Sequence, residues 1–218
     1  MCNFAASFVG LVAEGLGAGL QNRLQRFESA RDLNHNLLYY LQWVFLFMAR
    51  IVLVGFPGSG KSTIGKKIAS KLHYDFYDLD EVFEHNYHIS IENFFEKYDE
   101  NAFRICERIL MSELLRKENC VISTGGGTPC FFDTMDNIIE SSISVYIKLS
   151  HKSLVYRLLN SHKVRPLIKN KSEEELMRFV EEQMSQREGY YLRSHFIFNG
   201  ESIDIAQVIN TLKEHCSL

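Results

Sequence analysis

The sequence carries no surplus of positive charge. Its 24 Lys and Arg face 27 Asp and Glu for a net charge of −3, so nothing in it advertises a nucleic-acid partner. Paired cysteines are missing as well. Cys2, Cys106, Cys120, Cys130 and Cys216 are odd in number and scattered, without a CxxC pair, which excludes a disulfide framework and points to reduced thiols in a cytosol. No apolar run reaches the length of a membrane span; the longest candidate, LLYYLQWVFLFM at residues 37–48, is too short to cross a bilayer comfortably. The start has neither a basic n-region nor a clear cleavage site, which argues against a secretory signal. Internal repeats and low-complexity linkers are also absent.

What is present divides at Met48. Residues 1–47, with Gly and Ala clusters such as GLVAEGLGAGL, carry no chemical motif and are expected to be an upstream extension without function, Met48 being the natural start. The competing reading is a membrane-surface or partner-binding helix, which rests on the apolar stripe alone. From residue 50 strand and helix signals alternate. RIVLVG, DFYDLD, NCVIST, SSISVYIKLS and HFIFN read as strands. KSTIGKKIASKL, the two-part stretch SIENFFEKYDENAFRICERILMSELLRK, KSLVYRLL, EEELMRFVEEQMSQREGYYL and IDIAQVINTLKEH read as helices. Five short apolar strands between helices predict a parallel sheet covered on both faces, a three-layer α/β sandwich, with ligands at the carboxyl ends of the strands.

The motifs fall at those ends. Gly55-x-x-x-x-Gly60-Lys61-Ser62 follows a strand and opens a helix, the context of a phosphate loop. Its backbone N–H groups and the helix N-terminus suit phosphate oxygens. Lys61 would reach the β- and γ-phosphates, and Ser62 would hold Mg²⁺. Asp78 and Asp80, two apart in a strand, would share a side; one carboxylate can hold hydrated Mg²⁺ while the other accepts a proton from an attacking hydroxyl. Asp80 as the cap of a following helix, EVFEHNY, is the bland alternative. Arg104 and Glu107, three apart on a helix, face the same way, as an oriented guanidinium or as an exposed ion pair of little worth. Gly125-Gly126-Gly127 ends the third strand, where missing side chains allow close backbone approach to a ligand. The basic loop HKVRPL at 162–167 suits a lid carrying Arg165; Arg187 adds a further cation near the end of the long helix.

In this order GFPGSGKST, DLD, FRICE, GGG, VRPL and REGYY resemble the shikimate kinase family, phosphate-loop kinases of the nucleoside-monophosphate-kinase-like branch. The resemblance implies a P-loop NTPase fold over 48–218 with a mobile lid near 157–172. It also implies ATP-dependent phosphorylation of the 3-hydroxyl of shikimate, with Mg²⁺. Gly58, Ser59, Gly60, Lys61, Ser62, Thr63 and Arg165 would then bind ATP, with Ser62 and Asp78 on the metal. Asp80, Arg104, Gly125, Gly126, Gly127 and Arg187 would bind shikimate, Glu107 orienting Arg104. Lys61, Asp80 and Arg165 would be catalytic. Arg157 stands nearest to an adenine-stacking arginine, slightly out of register. A gluconate kinase or a nucleotide-binding module without turnover are the competing readings. The pair of arginines and the glycine run count against the first, and intact Lys61, Ser62, Asp78 and Asp80 against the second. The enzyme is expected to act as a monomer in the cytoplasm, with no membrane span.

A chain beginning at Met48 should therefore fold and turn over ATP with shikimate as the full chain does. Soluble yield and kcat of the two forms, measured side by side, check this; a large loss in either on truncation overturns it.

Overall fold

A computed structural model describes residues 50–161 and 171–215. The extension at 1–47 and the lid arginine Arg165 lie outside those residues. The elements are β1 (Arg50–Val54), α1 (Lys61–Leu72), β2 (Asp75–Asp78), α2 (Leu79–Tyr87), α3 (Ile91–Lys97), α4 (Glu100–Leu114), β3 (Cys120–Ser123), a 3₁₀ turn (Thr128–Cys130) and α5 (Thr134–Ser141). They continue with β4 (Ile143–Lys148), α6 (His151–Leu159), α7 (Glu173–Tyr191), β5 (Phe196–Asn199) and α8 (Ile205–His215).

The five strands form one sheet in the order β2-β3-β1-β4-β5, with every pairing parallel. This is the expected three-layer architecture of the P-loop NTPase type. β1 is central, and its Ile51, Val52, Leu53 and Val54 are all fully buried, as a parallel strand covered on both faces requires. Alternation splits it between two cores. Val52 and Val54 join Ile122, Tyr146 and the apolar sides of α2, α4, α6 and α7. Ile51 and Leu53 join Val121, Val145 and residues of α1 and α8.

Two helices, α2 and α5, are not among those the sequence pattern predicts. The first cuts into the expected second strand, which stops at Asp78. The Asp78 side chain accepts from the Asp80 backbone N–H and caps α2, so the cap is Asp78 and not Asp80. α5 has only eight residues, and its buried apolar positions are just Met135 and Ile138, too few to stand out as a helical run. Of the expected lid range, residues 157–159 complete α6 and Ser172 caps α7; residues 162–170 are outside the described part.

α7 brings Arg187 to the site and begins with a capping box. Ser172 accepts from the Glu175 N–H, and Glu175 accepts from the Ser172 N–H. Two end donors are satisfied at once. Ser172→Ala should cost about 1 kcal/mol, a fall of roughly 2–4 °C in Tm for a domain of this size. Thermal melts of the two proteins check it; an unchanged Tm would show that the box contributes nothing to holding α7.

Candidate active site

The loop after β1 turns through three left-handed glycines, with φ of 144° at Gly55, 88° at Gly58 and 93° at Gly60. Side chains rarely adopt these angles. The turn closes with the Ser59 N–H on Phe56 O at 3.1 Å and delivers Gly60 as the cap of α1. Lys61 is buried, and its Nζ donates to Gly55 O at 2.8 Å and Phe56 O at 3.1 Å. The Ser59 hydroxyl is buried with no hydrogen-bond partner among the described residues. Thr63 is exposed in the first turn of α1.

Ser62 and Asp78, expected together, are together: the Ser62 hydroxyl donates to Asp78 Oδ2 and lies 3.2 Å from Ser123 Oγ. A carboxylate and hydroxyls clustered beside a phosphate loop are the oxygen donors a hard cation such as Mg²⁺ takes, so the residues present fit that ion. The register of Asp80 differs from expectation. It does not alternate with Asp78 along a strand; it occupies the first turn of α2. It still reaches the glycine run, since a β-carbon at Gly125 would stand 3.2 Å from Asp80 Oδ1.

Arg104 and Glu107 face each other as their spacing predicted, with Nη1 to Oε2 at 2.8 Å. They are not an exposed pair, their side chains being only 10% and 4% accessible. Glu107 also accepts from the Thr128 hydroxyl at 2.5 Å. Burial pushes the Glu107 carboxyl up from its ordinary pKa, with Arg104 and Thr128 pulling it back down and Asp80 adding to the rise. Arg104 is gripped further by Glu100 Oε1, at 3.0 Å from Nη2, and by the Phe131 ring at 4.2 Å. Arg187, from α7, lies over the Phe56 ring at 5.9 Å and donates to Gln183 Oε1 at 2.5 Å. The helices that carry the two arginines meet at the glycine run: Arg104 packs against Gly127, and the hydroxyl of Tyr191, one turn beyond Arg187, donates to Gly126 O. Burial raises the Cys130 thiol to about 11, and the positive charges of Arg187 and Arg104 act against that rise.

The glycine run sits at the end of β3 as expected, but the space it leaves is taken by protein. A β-carbon at Gly127 would fall 2.6 Å from Arg104 Nη2, and one at Gly126 would overlap the Pro57 ring. One at Gly125 would fall 2.8 Å from Glu107 Oε1. The first glycine loop and the second are therefore in direct contact. Arg157 donates to Ser59 O and to Gly200 O, each at 3.1 Å, and so joins the phosphate loop to the turn after β5. The sequence reading missed Pro57, Glu100, Thr128, Cys130 and Tyr191. Tyr191 and Glu100 had a signal, each standing four residues from an arginine, Arg187 and Arg104, on the same helix face.

Comparison with known proteins identifies the family. The sequence profile of the shikimate kinase family matches residues 57–217. A shikimate kinase of Parabacteroides distasonis is 38% identical over 169 residues, 76% of this chain and 98% of that protein. One of Azobacteroides pseudotrichonymphae is 40% identical over 166 residues, with the same two shares. The crystal structure of shikimate kinase from Bacteroides thetaiotaomicron superposes with a TM-score of 0.73 at 35% identity, covering 78% of this chain and 99% of that one.

Contact between the two glycine loops makes a specific demand. Gly126→Ala forces a β-carbon into the ring and backbone nitrogen of Pro57, neither of which can swing aside, so the phosphate loop must shift. Overpacking of this kind costs about 1–3 kcal/mol. The KM for the nucleotide should rise although residue 126 lies on the acceptor side. An unchanged nucleotide KM would show that the loop tolerates the displacement.

Proposed function

The chain belongs to the shikimate kinase family, and from that membership we propose how its residues divide the transfer of a phosphoryl group from ATP to the 3-hydroxyl of shikimate. The product is shikimate 3-phosphate, on the route to chorismate and the aromatic amino acids. Such a transfer needs alignment and charge neutralisation more than covalent help.

Gly58, Ser59, Gly60, Lys61, Ser62 and Thr63 hold the phosphates of ATP. The loop already has the left-handed glycines this requires, and Lys61, now turned onto the loop carbonyls, meets the β- and γ-phosphates. Ser62 and Asp78 hold Mg²⁺, whose chemistry there is to neutralise charge on the phosphate oxygens. Asp80 accepts the proton of the attacking hydroxyl. It sits against the glycine run, between the donor loop and the arginine pair. Arg104 and Arg187 bind the shikimate carboxylate, with Glu107 fixing the angle of Arg104. Gly125, Gly126 and Gly127 have no side chains to hold off Glu107, Pro57 and Arg104, so these groups close in beside the acceptor. Arg165, outside the described residues, supplies positive charge from the lid. The observation that carries the acceptor assignment is that two helices bearing arginines meet at the glycine run, Arg104 packing against Gly127 and Tyr191, one turn beyond Arg187, bonding the Gly126 carbonyl.

The reaction takes place in the cytosol and within one chain. Free thiols at Cys106, Cys120 and Cys130 support the first statement. The second is supported by the assembly of the described site residues from a single chain. No helix among the described residues is long and apolar enough to cross a membrane.

Coupled ADP release with shikimate, with gluconate and with no acceptor tests the reading. Turnover should require shikimate; comparable turnover with gluconate, or release without any acceptor, overturns it. Within that assay, Arg104→Ala and Arg187→Ala should each weaken shikimate by about 2–4 kcal/mol, because a buried charge-assisted contact is lost and its partner left unpaired. The KM for ATP should change little. Lysine at either position should recover only part, since an ammonium cannot bond a carboxylate in two places. If shikimate KM is unchanged in both alanine variants, the carboxylate is held elsewhere.

A further inference from the structure

Tyr191 closes α7 and is 0% exposed. Its ring packs against Tyr146 with centroids 5.2 Å apart, and its hydroxyl donates to the carbonyl oxygen of Gly126. Arg187 lies one turn earlier on the same helix face. One oxygen atom thus joins the glycine run to the last turn of α7, next to the turn that carries the arginine. Phosphoryl transfer itself asks for no phenol here, and a phenylalanine ring would pack on Tyr146 equally well. Burial raises the Tyr191 pKa well above the ordinary value, so the group stays a donor at any working pH.

We infer that Tyr191 is a positioning residue for the acceptor: its hydroxyl ties the Gly126 carbonyl to the last turn of α7 and so sets where Arg187, one turn earlier, meets the acceptor carboxylate. The inference rests on the assignment of Arg187 to that carboxylate. Three features favour a positioning role over simple packing. The bond crosses from the β3 loop to α7, two elements far apart in sequence. Arg187 is bonded to Gln183 one turn before it, so its side chain is fixed to the helix whose end Tyr191 anchors. Gly126 also touches Pro57, which gives the arginine a fixed position relative to the phosphate loop.

The test is Tyr191→Phe, which removes one oxygen and keeps the ring. Shikimate KM should rise roughly ten-fold, the order of effect expected for losing one buried hydrogen-bonding group, while ATP KM and kcat change little. In an Arg187→Ala background the same substitution should add nothing, because the group it positions is gone. Tyr146→Phe, on the ring stacked against it, should leave shikimate KM as it was. The rise in Tm produced by a fixed concentration of shikimate reads binding without turnover, and it should shrink in Tyr191→Phe and not in Tyr146→Phe. An unchanged shikimate KM in Tyr191→Phe, alongside a raised one in Arg187→Ala, overturns this inference and leaves the carboxylate assignment standing. An unchanged KM in Arg187→Ala removes both. Equal rises in the KM for shikimate and ATP, or additive effects in the double variant, reduce Tyr191 to packing and also overturn it.

Discussion

Parallel strands hydrogen-bonded side by side release their loops only about 4.8 Å apart, and the site is built around that spacing. β1 and β3 are such neighbours, with Leu53 opposite Ser123. Thr124 reinforces the junction, its N–H and its hydroxyl both donating to Leu53 O at 3.1 Å and 3.0 Å. The loop that leaves β1 cradles phosphates, and the loop that leaves β3 must pass beside it. A side chain at residue 126 would occupy the place of Pro57. The chain meets the constraint by having no side chain there, and the donor and acceptor halves of the reaction come into contact as a result.

The second requirement is to keep cations available in a buried place. Arg104 lies between Glu100, Glu107 and the rings of Phe103 and Phe131. Carboxylates fix its orientation, and aromatic faces replace some of the water it has lost. Glu107 pays part of the electrostatic cost: buried and facing Asp80, it resists ionisation, and Arg104 with the Thr128 hydroxyl offsets that. Among the described residues Arg187 is held differently, by the Gln183 amide and the Phe56 ring, both uncharged. Among those residues one guanidinium is paired with carboxylates before any anion arrives and the other is not, so the two do not contribute equal positive field to the pocket.

Much of this was legible in the sequence because the informative groups are local. The phosphate loop declares itself by glycine spacing between a strand and a helix, and Arg104 meets Glu107 because residues three apart share a helix face. The parallel sheet followed from the rhythm of apolar runs. The reading erred at Asp80, where period-two alternation was extended one turn too far. Asp78 stops the strand by bonding the Asp80 N–H, and a side-chain cap of that kind competes with the ladder in a way that hydrophobic pattern does not register. Contacts between distant segments were out of reach altogether. That the glycines make room for Pro57 and Arg104, that Arg157 bridges Ser59 and Gly200, and that Tyr191 reaches Gly126 depend on the sheet order, which residue spacing does not encode.

The order of the strands also governs when the chain can assemble. β1 leaves the ribosome first among the strands, yet its partners are β3 and β4, Arg50 pairing with Cys120 and Ile51 with Ile143. Its backbone groups have no ladder to join until the chain through β3 has been made. Pairings so distant along the chain pay loop-closure entropy before they are rewarded, which makes such sheets slow to form. The most apolar segment of the domain must therefore wait, in the nascent chain, as an unpaired strand open to misassociation. The phosphate loop, though encoded near the start of the domain, acquires its supporting neighbour only when the glycine run has been synthesised beside it.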